Sequence, residues 1–417
     1  MSLRTFALAS ACVFALAGSA LAETNVTILH VNEVAAAKTL WDKIAADYNA
    51  SHPGVNVQFK YLENEAFKAK LPTMLQSDDR PDLFYSWAGG VMQAQAKAGL
   101  LKDITADVAD VAPTMSQTAV NAFKADGKLV GLPFELGEVA FYYNKKLFAQ
   151  AGVKAEDVKT WDDFLGAVKK LKAAGITPIV VGAGEKWPMA FFYDYLVIRV
   201  GGESAVPDAK ANKNGGFKNA TFVEAGKRLH ELGALDPFQP GYLQTSHAQS
   251  AGVFGDGKAA MDLMGDWLLG MQGPNASNGK GLSEDDIGVL PFPTLPDGKG
   301  KITDTLGGVH AFLVTKTASA DTVDFLKFFS QEKYAKAAAE AGLYIPVYKG
   351  ADQYIKDPIV KQIAGDLAKT TYHQNFFDQD LGPSVGRVVN DISVAVAAGQ
   401  MTPEAAAAAI QDAADQQ

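Results

Sequence analysis

Three tryptophans stand where apolar runs break into glycine or proline. Trp87 precedes Ala88-Gly89-Gly90, Trp187 lies in Gly182-Ala183-Gly184-Glu185-Lys186-Trp187-Pro188, and Trp267 follows Gly265-Asp266. An indole held at a strand end or in a loop offers apolar area at little entropic cost, which suits stacking against a ring. Acidic residues fall near the same places. Glu33 directly follows a β-rich run, Glu135 follows Gly131-Leu132-Pro133-Phe134, Asp266 adjoins Trp267, and Asp378 closes Asn375-Phe376-Phe377-Asp378. An ionised carboxylate accepting a hydroxyl proton makes a charge-assisted bond worth roughly 1.5–3 kcal/mol. The pair Asp266-Trp267 can therefore present a rim acceptor and a stacking face to one ring. Asn32 and His310 are further polar candidates, and Tyr344, just ahead of Ile345-Pro346, could close over a bound molecule. The two other tryptophans read as core. Trp41 keeps helical step with Ile44, Ala45 and Tyr48, and Trp161 sits in the first turn after Thr160.

Covalent and metal chemistry find little support. The six histidines, at 30, 52, 230, 247, 310 and 373, form no H-E-x-x-H or other close ligand pair. There is no G-x-S-x-G elbow and no G-x-x-x-x-G-K-[ST] loop. Gly255-Asp256-Gly257-Lys258-Ala259-Ala260 fits G-x-G-x-x-A, but it precedes a β-rich run instead of opening a helix after one, the wrong context for a dinucleotide. The reading is of no catalytic residue, no metal and no cofactor. Glycoside hydrolysis needs only two facing carboxylates, so a secreted hydrolase using two of these acids stays open.

What must position these residues is a chain of 417 residues, long enough for two domains. Its 38 Lys+Arg against 47 Asp+Glu, and the absence of any basic run longer than two, argue against nucleic acid as a partner. Arg4 is followed by an apolar or small stretch from Phe6 to Ala22, ending Ala20-Leu21-Ala22, the small-x-small pattern of a cleaved export signal covering 1–22. The stretch falls short of the roughly 20 residues that cross a bilayer. The single cysteine, Cys12, lies inside it with the apolar run continuing beyond, which argues against lipidation there. A mature chain starting at Glu23 would have no disulfide, and a bacterial periplasm is the expected location.

The mature chain alternates strand and helix. Val26 to Val31 reads as a strand, Leu40 to Tyr48 as a helix stopped by Asn49-Ala50-Ser51-His52-Pro53-Gly54, and Val55 to Phe59 as a strand. A helix through Phe67, Leu71, Met74 and Leu75 leads to a strand over Pro81 to Ser86. That order implies a parallel sheet with helices on both faces. Further on, Val139 to Tyr143, Ile179 to Val181 and Ala259 to Met264 read as strands. Thr160 caps a helix, Gly182 to Pro188 and Gly273 to Gly281 read as loops, and Pro403 to Ala414 reads as an Ala-rich helix.

The ordered pieces resemble the extracellular solute-binding proteins of ABC importers, specifically their carbohydrate-binding group. Trp41 to Pro53 looks like the family's first helix and H-P-G turn, and Pro81-Asp82-Leu83-Phe84 with Trp87 like its P-D-hydrophobic strand end. Ala98-Gly99-Leu100-Leu101 and Asp103-Ile104-Thr105 follow in the expected order. Next come Gly131-Leu132-Pro133-Phe134 before Phe141-Tyr142-Tyr143-Asn144-Lys145, then Thr160-Trp161-Asp162-Asp163-Phe164. Phe254 to Met261 and Gly265-Asp266-Trp267 complete the series. Glu185-Lys186-Trp187-Pro188 and His310 to Val314 resemble the subgroup that handles di- and oligosaccharides, such as α-galactosides or xylo-oligosaccharides.

The resemblance implies an α/β, two-lobed periplasmic-binding-protein fold (type II-like), each lobe a mainly parallel sheet flanked by helices, with the ligand cleft between. The N-terminal lobe would take 23–137 and 303–345, and the C-terminal lobe 138–302 and 346–417. The expected activity is capture of a di- or oligosaccharide by hinge closure, without chemistry, and delivery to the permease subunits of an ABC importer by a monomer. Asn32, Glu33, Trp87, Glu135, Trp187, Asp266, Trp267, His310, Tyr344 and Asp378 are the expected contacts. A binder of a non-sugar solute such as a polyamine also stays open. An anion fits less well, because only Arg80, Arg199, Arg228 and Arg387 follow the signal.

Overall fold

The computed structural model describes residues 24–31 and 34–417, so the expected export signal with Cys12, together with Asn32 and Glu33, lies outside the described residues. Val26, Ile28 and Leu29 are buried in strand β1 (Thr24–His30). The helix Ala35–Ser51 turns Ala37, Trp41, Ile44, Ala45 and Tyr48 into the same core, at the spacing of one helical face. β2 (Val55–Tyr61) and β3 (Leu83–Ser86) flank β1, both parallel to it, with Thr24 opposite Val55 and Ile28 opposite Leu83. A short hairpin of β4 (Lys124–Ala125) and β5 (Lys128–Leu129) precedes β6 (Gly131–Asn144), a strand of 14 residues. β7 (Thr177–Val180), β8 (Ala259–Gly265), β9 (Ile287–Leu290), β10 (Thr305–Val314), β11 (Ile345–Pro346) and β12 (His373–Asn375) follow.

The main sheet runs β2-β1-β3-β10-β6-β8-β7, with β9 and β11 paired to β6 and β12 to β10. Parallel pairing, which strand–helix alternation predicts, joins β2 to β1, β1 to β3, β7 to β8 and β10 to β12. It gives way to antiparallel pairing wherever β6 meets a neighbour and where β10 meets β3. A strand that returns from the other half of the molecule enters the sheet from its opposite end.

Two hydrophobic cores sit along this sheet. One draws on residues 26–134 and 311–347, the other on 139–306 and 339–413. Both long strands serve both cores. In β6, Leu132 and Phe134 belong to the first, and Val139, Phe141 and Tyr142 to the second. In β10, Leu306 belongs to the second and Ala311 to Val314 to the first. Between the cores the β6–β10 ladder slips, with His310 opposite Glu135 but Ala311 opposite Pro133, a bulge at the crossing. β11 crosses at the same level, pairing Ile345 with Leu136 and Pro346 with Glu135.

Two segments differ from the sequence expectation. Trp187 and Pro188, expected in a loop, open the helix Trp187–Gly201. Fourteen of its fifteen residues are buried, so no polar stripe marks it as helical. The expected loop after Gly273 begins later, because the helix Leu268–Asn275 runs through Gly273 and Pro274. Trp41 and Trp161 are fully buried, and Trp161 Nε1 donates to Glu231 Oε2 at 3.2 Å. Among the described residues no helix is long and apolar enough to cross a membrane.

All of β8 is buried, including Asp262 opposite Tyr142. Neither carboxylate oxygen of Asp262 has a hydrogen-bond partner, and nor does the Tyr142 hydroxyl. Burial pushes the Asp262 carboxyl up from 3.8 to about 8. The native state therefore keeps a proton that the unfolded chain releases above its ordinary value. This contribution to stability is full below about pH 4 and is lost as pH rises toward about 8. Asp262→Asn is expected to remove that slope, so that the variant loses less stability than the wild type between about pH 5 and pH 8. Urea titrations near pH 5 and pH 8 measure it; an unaltered slope in the variant would mean that another group is responsible.

Candidate functional site

At the seam between the two cores lies a cavity of about 220 Å³. His30, Glu63, Asn64, Lys68, Tyr85 and Trp87 reach it from the first half, and Glu135 and His310 from the crossing strands. From the second half come Glu185, Trp187, Phe191, His247, Asp266, Trp267, Met271, Phe376 and Asp378. Among the described residues no group of three or more His, Cys, Asp or Glu is placed to hold a metal ion.

Aromatic rings form a connected wall from one half to the other. Trp87, leaving β3, meets Tyr85 edge-on at 4.9 Å and Phe67 at 5.8 Å. Tyr85 meets His310 at 5.3 Å, His310 stacks toward Phe376 at 6.4 Å, and Phe376 meets Trp267 at 6.2 Å. Trp267 continues to Trp187 at 6.4 Å, and Trp187 to His247 at 4.9 Å. Gly265 is what seats Trp267, since a Cβ at that position would collide with the indole. Trp187 Nε1 donates to Glu185 Oε2 at 3.1 Å, which fixes the ring at the start of its helix. Trp87 packs against both cores, and its carbonyl accepts from Asn375 Nδ2 of the second half at 2.8 Å. The next residue, Ala88, holds φ 61° and ψ −153°, a conformation that costs a non-glycine residue about 1–3 kcal/mol. It turns the chain into the helix Gly89–Lys97, whose first residues meet Gln379 to Gly382 of the second half backbone to backbone.

The polar groups have distinct surroundings. His310 Nδ1 lies 3.1 Å from Glu135 Oε1, with both side chains nearly inaccessible. Asp266 is 7% exposed, and its Oδ1 has no partner. Burial, then the Glu135 charge, hold its carboxyl well above the usual range. Burial also raises Glu185, opposed by hydrogen bonds from the His247 amide at 3.0 Å and from Trp187. Burial lowers His247 to about 4, and its Nε2 sits 3.1 Å from Met271 Sδ. Burial, then the His310 charge, lower His30 to about 3. Lys68 lines the cavity and links the two halves, 2.9 Å from Asp378 Oδ2 of the second half and 3.5 Å from Glu65 Oε1. Burial opposes the Lys68 charge, but those two carboxylates outweigh it and raise the lysine.

Trp87, Glu135, Trp187, Asp266, Trp267, His310 and Asp378 thus all line one cavity. Tyr344 does not. It packs in the first core, stacked on Trp41 at 5.6 Å, because the pairing of Ile345 and Pro346 with β6 turns the residue before them inward, behind Glu135. Asn32 and Glu33 lie outside the described residues, although Val31 and Val34 on either side line the cavity. Tyr85, Phe376, Lys68, Glu185 and His247 are lining residues that the sequence reading did not single out. Every residue of β3 is buried, so no alternation distinguished Tyr85. Phe376 and Glu185 stand within two residues of Asp378 and Trp187, which was the available signal.

Residues 32–336 match the model of the family described as bacterial extracellular solute-binding protein. The diacetylchitobiose-binding protein of Streptomyces coelicolor is 25% identical over 332 residues, covering 78% of this chain and 74% of the relative. An uncharacterised ABC transporter extracellular-binding protein of Pyrococcus horikoshii is 26% identical over 265 residues, 61% of this chain and 58% of the relative's length. A chitin oligosaccharide binding protein of known structure superimposes with a TM-score of 0.86 at 26% identity, covering 94% of this chain and 98% of the other. Two α/β halves around a ring-lined seam, and a family match over most of the length, lead to one statement: this chain belongs to the bacterial extracellular solute-binding proteins.

Proposed function

We propose that the chain is a periplasmic binding protein that captures a di- or oligosaccharide in the seam cavity and hands it, unaltered, to the permease of an ABC importer. One observation carries the reading: indole faces and buried acceptors from both halves converge on a single cavity. A sugar ring has apolar C–H faces and a rim of hydroxyls, the complement of such a lining. Micromolar affinity needs only about −8 kcal/mol, within reach of two stacks and a few charge-assisted bonds. The names of the diacetylchitobiose and chitin oligosaccharide binders support this class of ligand.

The proposed contacts are Trp87, Glu135, Trp187, Asp266, Trp267 and His310, and Asn32 and Glu33 stay proposed from the sequence alone. The proposed lobes are 23–137 with 303–345, and 138–302 with 346–417, hinged where β6, β10 and β11 cross. Each lobe supplies part of the contact, so a sugar binds the closed arrangement more tightly and shifts the population toward it. The chain acts as a monomer, exported with cleavage after Ala22.

Calorimetry against a panel of neutral and amino oligosaccharides tests this, with chromatography of the sugar afterwards and small-angle scattering of the protein. The expected result is saturable binding of one sugar per chain, a smaller radius of gyration at saturation, and recovery of intact sugar. At about 100 times Kd the bound sugar should add roughly 3 kcal/mol to the unfolding free energy. Hydrolysed products, or no binding by any member of the panel, would defeat the reading.

A further inference from the structure

We infer that Met271 is a modification site, where a peroxide oxidises the thioether to the sulfoxide and lowers sugar affinity, and where bound sugar shields the sulfur. This rests on the sugar-binding reading and adds a control on the same cavity. Met271 stands in the helix Leu268–Asn275 and lines the cavity. Among the described methionines, Met92, Met115, Met189, Met261 and Met264 are no more than 2% exposed. Met74, Met271 and Met401 are half-buried, and of these three only Met271 reaches the cavity. The chain's one cysteine, Cys12, falls in the expected export signal, so in a mature chain starting at Glu23 every sulfur is a thioether.

The surroundings of this sulfur set what oxidation does. His247 Nε2 lies 3.1 Å from Met271 Sδ, and His247 Nδ1 is buried with no hydrogen-bond partner. Burial lowers His247 to about 4, so near neutral pH the ring is uncharged and holds one proton. On Nδ1 that proton would reach no acceptor, and the Nε2 lone pair would face those of the sulfur. On Nε2 it is donated to the thioether, a weak acceptor. A sulfoxide oxygen is a far stronger one, and it would form beside a donor already in position.

In the reaction the sulfur lone pair attacks one peroxide oxygen. The S–O bond forms, the O–O bond breaks, and the second oxygen leaves as water with both peroxide protons; sulfur gives up two electrons and the peroxide takes them. The new oxygen cannot stand between two atoms 3.1 Å apart. Either it points away from the imidazole, or the side chain withdraws so that the oxygen can accept from Nε2. The space that Met271 borders is the cavity, and the same imidazole meets Trp187 edge-on at 4.9 Å. Both outcomes therefore bring polar bulk into the space beside that indole, where an apolar, adaptable side chain had been. A sugar in the cavity covers the same surface, so ligand and oxidant exclude each other.

The test treats the wild-type protein and Met271→Leu with hydrogen peroxide, with and without the tightest-binding member of the oligosaccharide panel, maps sulfoxides by peptide mass spectrometry and then measures affinity by calorimetry. Met74 and Met401 serve as internal references. Without sugar, Met271 is expected to oxidise at least as fast as those two and well ahead of the five buried methionines. Sugar should slow Met271 by about 10-fold or more and leave the references within about 2-fold. Oxidised wild type should bind about 10-fold more weakly, whereas Met271→Leu should bind equally before and after treatment. Oxidation of Met271 no faster than that of the buried methionines, no protection by sugar, full affinity in the oxidised wild type, or an equal loss in Met271→Leu each overturns the inference and leaves the sugar-binding reading standing. Absence of binding by every member of the panel overturns both.

Discussion

Gly90→Val is expected to weaken sugar binding by about 100-fold while leaving the ligand-free protein folded. Gly90 stands in the first turn of the helix Gly89–Lys97, which belongs to the first half. A Cβ on it would fall 2.6 Å from the Asp380 carbonyl oxygen and 2.8 Å from the Gly382 amide nitrogen, both in the second half. Backbone cannot give way as a flexible side chain would, so the halves must separate to admit the isopropyl group. Valine meets no such obstacle once they part. Its φ at this site is ordinary, whereas Gly89 at φ +74° would strain any side chain. A wedge of this kind would cost the proposed closed arrangement about 3 kcal/mol, which is roughly 100-fold in Kd. Scattering should show a radius that sugar no longer reduces, and the thermal midpoint without sugar should move by no more than a few degrees. Wild-type affinity in the variant would mean that this contact plays no part in closure.

Trp267→Ala is expected to raise Kd by about 30- to 100-fold, again with a small change in stability. The indole is half-buried, laid over the bare backbone of Gly265 and flanked by Phe376, Phe191 and Trp187 at 6.2–6.4 Å. Its removal therefore uncovers a cavity wall instead of hollowing a core. Losing an indole face from a stacked ring forfeits about 2–3 kcal/mol of apolar contact. Calorimetry with the best ligand measures it. An unchanged Kd would make Trp267 a wall residue that no ligand touches.

Much of the fold was legible because its elements announce themselves locally. Trp41, Ile44, Ala45 and Tyr48 keep helical step, and Thr160 with Asp163 forms the capping box that starts the helix Trp161–Ala173. The helix Trp187–Gly201 was not legible, since a segment buried on every side carries no period to read. Of the site, Trp87 and Asp266-Trp267 stood out because glycines punctuate the strand ends that carry them. Lys68 could not stand out. Its helix shows an ordinary solvent-facing lysine, and the carboxylate opposite, Asp378, comes 310 residues later. Tyr344 misled for the same reason in reverse. An aromatic beside a crossing strand looks available until the pairing of Ile345 with Leu136 decides which way it points.

The position of β10 governs when this protein can begin to fold. It lies between β3, which ends at residue 86, and β6, which starts at residue 131, yet it is completed only at residue 314 of 417. A nascent polypeptide leaving the ribosome therefore lacks the strand that joins β3 to β6 in its first core until about three-quarters of translation is done. Through that interval the edge of β3 that β10 will cover has no partner strand, so the first core cannot close around it.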